Sequence, residues 1–265
     1  MRIATWNANS LTARLEHLLR WLDAQHQAGT PIDLLGLQEL KLTDDRFPAD
    51  ALRDAGYCAV SFGQKTYNGV ALLGRGGVPR EVLRNIPGFA DDQARVITAT
   101  VDGPAGPLRV VNAYFVNGQE PGSDKFAYKL RWLAALTDWL RGEIAAHPHL
   151  VLLGDFNIAP EDRDSFDPEG LRGTIHHTEE ERAAFRALLA LGLHDAFRLF
   201  DQPERAFSWW DYRQLGFQKN RGLRIDHILV SDALRPQVAS CTIDRAPRKW
   251  PRPSDHAPVV LALRQ

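Results

Sequence analysis

The sequence predicts an α/β protein with a mixed sheet, and three observations predict it. Stretches with the apolar spacing of amphipathic helices alternate with short apolar runs of strand length. Some runs are joined by connections too short to hold a helix, as at Pro104–Pro107, so antiparallel pairs must lie beside parallel ones. No repeat, Ser/Gly linker or charge block divides the 265 residues, which leaves one domain over 1–265.

The elements run in chain order. Ile3–Trp6 is the first strand, and Leu11, Leu15, Leu18 and Leu22 mark the first helix by their spacing of four, three and four. Leu34–Leu37 and Val70–Leu73 are strands, and Leu108–Tyr114 comes after the Pro104–Pro107 turn as another. After Pro121-Gly122, the residues Phe126, Leu130, Leu133, Leu136 and Leu140 form the apolar stripe of a second helix. Leu150–Leu153 is again a strand. Thr178 with Glu181 three residues on is a capping box, which opens a third helix carrying Phe185, Leu188 and Leu189. Ile225–Val230 and Val259–Leu263 complete the set.

Composition removes several classes of function. With 44% hydrophobic and 25% charged residues the chain is globular, not disordered, collagenous or coiled-coil. No apolar run approaches the roughly 18 residues that cross a bilayer. The start, Met1-Arg2-Ile3-Ala4-Thr5-Trp6-Asn7, lacks the apolar stretch of a secretory signal, so a cytoplasmic protein without membrane contact is expected. Cys58 and Cys241 form no Cys-x-x-Cys, which excludes a zinc knuckle or redox motif and suits a reducing compartment. A net charge of −1 argues against gripping nucleic acid by bulk positive charge, though placement can still make a basic face.

The polar residues that close the apolar runs are more informative. The first strand delivers Asn7 and the second Glu39; a later one delivers Tyr114 and then Asn117. Leu150–Gly154 leads to Asp155 and Asn157, Ile225 to Asp226, and Ser254-Asp255-His256 precedes the last strand. A single carboxylate there carries little weight, because loops begin there and are polar. Six such endings on one sheet edge would build a cleft, and ligands of α/β folds bind at such edges. Crowded carboxylates repel one another unless a cation relieves them. Oxygen ligands without cysteine suit a hard ion, Mg²⁺ or Mn²⁺, which polarises phosphoryl oxygens. His256 can donate to the same phosphate with Asp226 or a similar acid orienting it, while Asp155 takes a proton from water and Asn157 fixes its geometry. No Ser or Cys nucleophile stands beside a base, so metal-assisted phosphodiester hydrolysis is favoured over covalent catalysis.

With these residues in view, the chain resembles the exonuclease III type of AP endonuclease, within the endonuclease/exonuclease/phosphatase superfamily. The matching segments run nearly end to end: Trp6-Asn7, Leu37-Gln38-Glu39, Tyr67-Asn68-Gly69-Val70, Gly154-Asp155-Phe156-Asn157, Phe207-Ser208-Trp209-Trp210, Arg224-Ile225-Asp226-His227 and Ser254-Asp255-His256-Ala257-Pro258. The resemblance implies a four-layer α/β sandwich of DNase I type, two packed mixed sheets flanked by helices, with the site at one sheet edge. It implies that Glu39 is the main metal ligand, with Asn7 and Asp255 near the ion. It further implies that Asp155 and Asn157 activate or position water, that Tyr114 touches the scissile phosphate or leaving group, and that His256 polarises the phosphate with Asp226 as its partner.

Three positions depart from the family pattern. Leu40 replaces a common threonine, Asn9 replaces an aspartate near the metal, and His176 stands where abasic-site cutters carry a small residue. A bulky imidazole would narrow the pocket that takes an extruded abasic nucleotide. The expected function is thus a Mg²⁺-dependent DNA-repair nuclease, with Mn²⁺ as a possible substitute. It would act on double-stranded DNA as a 3′-5′ exonuclease and 3′-end cleaner, cut abasic sites less well, and work as a monomer. Expected DNA contacts are Asn117, His176, Trp209, Lys125 and Lys129 on the second helix, and Arg248 within the basic cluster Arg245, Arg248, Lys249 and Arg252. Two alternatives are a nucleic-acid-binding regulator of the same fold without catalysis, and a phosphatase from another superfamily branch.

Overall fold

The computed structural model describes residues 1–264. The first half of the chain holds β1 (Arg2–Asn7), α1 (Leu11–Gln27), β2 (Leu34–Gln38), α2 (Ala49–Asp54), β3 (Tyr57–Phe62), β4 (Val70–Arg75), β5 (Arg80–Arg84), β6 (Val96–Gly103) and β7 (Gly106–Tyr114). The second half holds α3 (Asp124–Ala146), β8 (Leu150–Asp155), α4 (Glu179–Leu189), β9 (Leu193–Asp195), β10 (Trp209–Trp210), β11 (Gly222–Leu223), β12 (Asp226–Ser231), β13 (Val238–Ile243) and β14 (Val259–Leu263). One six-stranded sheet runs β13-β14-β1-β2-β4-β3, and a second runs β5-β6-β7-β8-β12-β9. Each is mixed, with β1 parallel to β2 and β7 parallel to β8 among otherwise antiparallel neighbours. The Pro104–Pro107 turn is the β6–β7 hairpin, as expected.

The central strands are continuously apolar because both of their faces are covered. In β1, Ile3 faces the other sheet and packs with Leu72, Val110, Leu153 and Ile228. Its neighbours Ala4 and Trp6 face outward and pack with Leu11, Leu18 and Trp21 of α1. On the far side Trp132, Leu136 and Leu140 of α3 and Phe185 and Leu188 of α4 cover Val111, Leu150 and Leu152. The layers are therefore helix, sheet, sheet, helix. The helix α4 is opened by the expected box, Glu181 N–H donating to Thr178 Oγ1 and Thr178 N–H donating back to the Glu181 carboxylate.

The two sheets approach each other closely between β2 and β8. A Cβ on Gly36 of β2 would lie 2.3 Å from Leu153 Cδ1 of β8, so a larger residue there would displace side chains of the facing sheet. Beside it Gln38 Nε2 donates to Asn112 Oδ1 across the interface at 2.6 Å, and also to Thr5 Oγ1 at 2.9 Å. Asn112 Nδ2 in turn donates to the backbone carbonyls of Leu37 and Ala71, at 2.9 and 2.8 Å. All these groups are buried. Replacing the amide by an apolar side chain of similar size leaves a buried donor and two carbonyls short of a bond. Asn112→Leu is expected to lower the unfolding free energy by roughly 1–3 kcal/mol, read by urea denaturation; an unmoved midpoint would mean that this cross-sheet bond adds no stability.

Candidate active site

Strand register assembles the polar residues. In the first sheet β1 and β2 run parallel with Asn7 beside Gln38, so Glu39 emerges just past the edge. In the second, Tyr114 pairs with Asp155 and Asp155 with Asp226, which sets three functional side chains in a row. The cleft is thus formed by the adjoining ends of both sheets. This corrects the expectation of one sheet edge. Asn7 joins them, its Nδ2 donating to Glu39 Oε1 and to Asp155 Oδ2, each at 2.9 Å.

His256 enters from the segment before β14. Its Nδ1 lies 2.9 Å from Asp226 Oδ2, and its Nε2 lies 3.7 Å from Asp155 Oδ2. Asp226 is fixed from behind by the Ser208 hydroxyl, which donates to Oδ2 at 2.6 Å. Ser254 Oγ donates to the Asn7 carbonyl and Trp6 Nε1 to the His256 carbonyl, tying this segment to β1. Behind the site, buried Arg224 pairs with Asp164 and Asp195 and bonds His227 Nδ1, anchoring the start of β12. Glu39 and Asn157 adopt left-handed backbone, at φ 50° and 51°. Non-glycine residues hold that conformation only where their surroundings impose it.

The electrostatics separate the ionisable groups. Burial pushes Asp155 up to about 7, with Asp226 and Glu39 adding to the rise and the His256 charge opposing it. Burial alone would push His256 down, but the charges of Asp226 and Asp155 outweigh it and hold the imidazole at about 10. Burial and the charges of Glu39 and Asp155 raise the Tyr114 phenol well above its ordinary range. The site therefore pairs a carboxylate poised near neutrality with a charged imidazolium.

Glu39, Asp155 and His256 offer ligand atoms within 4.8 Å of one another. A protonated Nε2 has no lone pair to give, so what this group could offer an ion is oxygen: the carboxylates of Glu39 and Asp155, with the Asn7 amide beside them. Glu39 Oε2 already attracts a cation, the Lys41 ammonium at 2.9 Å. The set fits a hard divalent ion. Asp255 stands one link away, accepting from Asn9 Nδ2 and from Trp209 Nε1, both at 2.9 Å. Asn9 N–H in turn donates to Asn7 Oδ1.

Two expected DNA contacts are not at the surface. Lys129 is fully buried, its ammonium bonded to Glu181 and to the carbonyls of Asn117 and Asn157. Arg248 is 5% exposed. Its guanidinium lies against the Phe217 ring and donates to the Ser254 and Trp210 carbonyls, so it braces the segment before Asp255. Its companions Arg245, Lys249 and Arg252 are exposed.

Asn117, Lys125 and Tyr114 line one cleft of about 470 Å³. Trp209 and His176 line another of about 490 Å³ with Leu171, Arg213 and Leu223. Trp210 lies in the core with Phe207. His176 Nδ1 is 2.7 Å from the Asn157 carbonyl, and burial with the Lys129 charge pushes its imidazole down to about 3, so it is neutral. Sequence reasoning missed Lys41 and Ser208. The first is a cation two residues past Glu39, and the second lies inside the Phe-Ser-Trp segment without a role of its own there.

Residues 4–256 match the family described as "Endonuclease/Exonuclease/phosphatase family". The Exodeoxyribonuclease III of Haemophilus influenzae is 37% identical, the alignment covering 98% of each chain. The 3′-5′ exonuclease NExo from Neisseria meningitidis has the same fold at a TM-score of 0.94 and 48% identity, with 100% of both chains covered. A structure described as the 3′ phosphatase NExo bound to product DNA hairpin matches at 0.94 and 47% identity, again with 100% of both chains covered.

An imidazole held up by an acid contributes stability that is fully present below its ordinary value of 6.5 and is lost as pH rises through about 10. In Asp226→Asn the main supporting charge is gone. His256 is expected to titrate lower, and its part of the alkaline stability loss to begin at lower pH, as read by NMR titration of the metal-free protein. An unchanged titration would exclude Asp226 as its support.

Proposed function

The chain belongs to the endonuclease/exonuclease/phosphatase family, and from that premise we propose that it is a Mg²⁺-dependent nuclease hydrolysing phosphodiesters of double-stranded DNA. It acts from 3′ ends as a 3′-5′ exonuclease and 3′-end cleaner, and only weakly within the duplex at abasic sites. Residues 1–265 work as one domain, as a monomer in the cytoplasm; no described helix is long and apolar enough to cross a membrane. The observation that carries the proposal is the Asp155–His256–Asp226 cluster joined through Asn7 to Glu39.

Each residue has a role that its surroundings favour. Glu39, with Asn7 and Asp255 near it, would hold the ion. When bound, Mg²⁺, or Mn²⁺ in its place, offsets the charge of a phosphate brought among these carboxylates. Asp155, poised near neutrality, takes a proton from the attacking water, and Asn157 orients that water. His256 donates its Nε2 proton toward a phosphate oxygen while Asp226 keeps the ring charged and aligned. Tyr114 adds a phenol donor next to the leaving group, since its raised pKa keeps it protonated. Cleavage leaves a 3′-hydroxyl. Trp209 supplies an aromatic face for the terminal nucleotide, and Lys125 and Asn117 a polar surface for the neighbouring backbone.

His176 carries the substrate preference. It occupies the wall of the cleft where an extruded abasic sugar would lodge, and the Asn157 carbonyl pins it there. The intact acid–imidazole set argues against a regulator that has lost catalysis, and the exposed Arg245, Lys249 and Arg252 argue against a small phosphate ester as substrate.

A gel assay with two labelled duplexes, one 3′-recessed and one with an internal abasic site, tests this directly. Mg²⁺-dependent shortening of the first with weak nicking of the second is expected, and EDTA should stop both. Binding without any cleavage would bring the regulator forward. Glu39→Ala and Asp155→Ala should each lower the rate by at least about 100-fold; near wild-type rates would refute the site. His176→Gly should raise the ratio of abasic nicking to 3′-end removal, and an unchanged ratio would dismiss the narrowed pocket.

A further inference from the structure

Lys129 and Glu181 together bond the backbones of Asn117, Asn157 and His176, and we infer that this buried pair is a positioning element that sets Asn157 and His176 relative to each other. Both side chains are 0% exposed. Lys129 reaches in from α3, and its three protons go to Glu181 Oε1, to the Asn157 carbonyl at 2.8 Å and to the Asn117 carbonyl at 3.1 Å. An ammonium has three donors, so none remains. Glu181 stands in the first turn of α4. Its Oε2 accepts from the Thr178 backbone and hydroxyl, while Oε1 accepts from Lys129 and from the His176 N–H at 3.1 Å.

Both residues so held have left-handed backbone. Asn157 and His176 have φ of 51° and 70°. His176 Nδ1 closes the ring on the same Asn157 carbonyl that Lys129 grips. A Cβ on Gly118 would come within 2.9 Å of Lys129 Cδ, so the loop after β7 is moulded on this side chain as well. The apolar contacts of Phe185 and Leu188 already dock α4 on its sheet. A buried ion pair adds little stability over a well-packed apolar pair, so its effect lies in where it places the groups bonded to it. One device thereby sets both the orientation of the water-positioning amide and the width of the substrate cleft.

This inference rests on the function proposed above, and its test separates the two. Lys129→Met/Glu181→Gln removes both charges without leaving one buried alone. For 3′-recessed duplex the double variant should show a kcat lowered roughly 10- to 100-fold by the displaced amide, with KM changed less than about 3-fold. The ratio of abasic nicking to end removal should rise as His176 gains freedom. A merely structural pair would lower the melting temperature and leave both quantities alone, and a folded variant with wild-type kcat and ratio would overturn the inference. Glu181→Gln alone keeps the side-chain length and lets Lys129 shed its proton, so it supplies the same two quantities should the double variant not fold. Wild-type protein without Mg²⁺-dependent cleavage would instead sink the functional proposal.

Discussion

The bond between Gln38 and Asn112 across the sheet interface is the constraint on which the rest depends. Apolar packing holds the two sheets together but is non-directional, and it tolerates small slips of one layer over the other. A buried amide pair tolerates none, because its geometry is narrow and a broken bond goes unreplaced. Gln38 immediately precedes Glu39, and Asn112 lies two residues before Tyr114 on the strand beside Asp155. The amide lock therefore fixes the position of the first sheet's carboxylate against those of the second. Across that interface Asn7 bonds both Glu39 and Asp155 at 2.9 Å.

Within that frame the acids are distinguished by their partners. Asp226 faces an imidazolium and a serine hydroxyl, Glu39 faces Lys41 and an amide, and Asp255 faces an amide and an indole N–H. Asp155 is bonded by amide groups alone, from Asn7 and Asn157, with the imidazolium no nearer than 3.7 Å. Burial raises its carboxyl, against the opposing effect of the imidazolium charge and the Asn7 bond.

Much of this was legible in the sequence, for physical reasons that also mark where legibility stops. The strands β1, β2, β4, β7, β8, β12 and β14 read clearly because burial on both faces makes them continuously apolar. The strand β5 did not, because it lies at a sheet edge and leaves every residue but Val82 exposed. β6 alternates Thr98 and Thr100 with aliphatic residues and was hidden by them. At the site, the polar residue closing each strand was visible, but not that the closures come from two sheets. Lys129 was misread because its partner Glu181 is 52 residues away and a lone helical lysine reads as surface. Arg248 was misread likewise, since the Phe217 ring and the Trp210 carbonyl against it come from a separate segment.

The pairing of β1 with β14 also joins distant parts of the sequence. Trp6 and His256 are 250 residues apart, yet the segments that carry Asn7 and His256 meet through Trp6 and Ser254 in one cleft. Until the final strand is free to dock, β1 has only β2 as a neighbour and Asp155 has no imidazolium near it. A fragment that stops before His256 consequently carries no complete acid–imidazole set. The set is completed where the segment ahead of β14 joins the first sheet to the acids of the second.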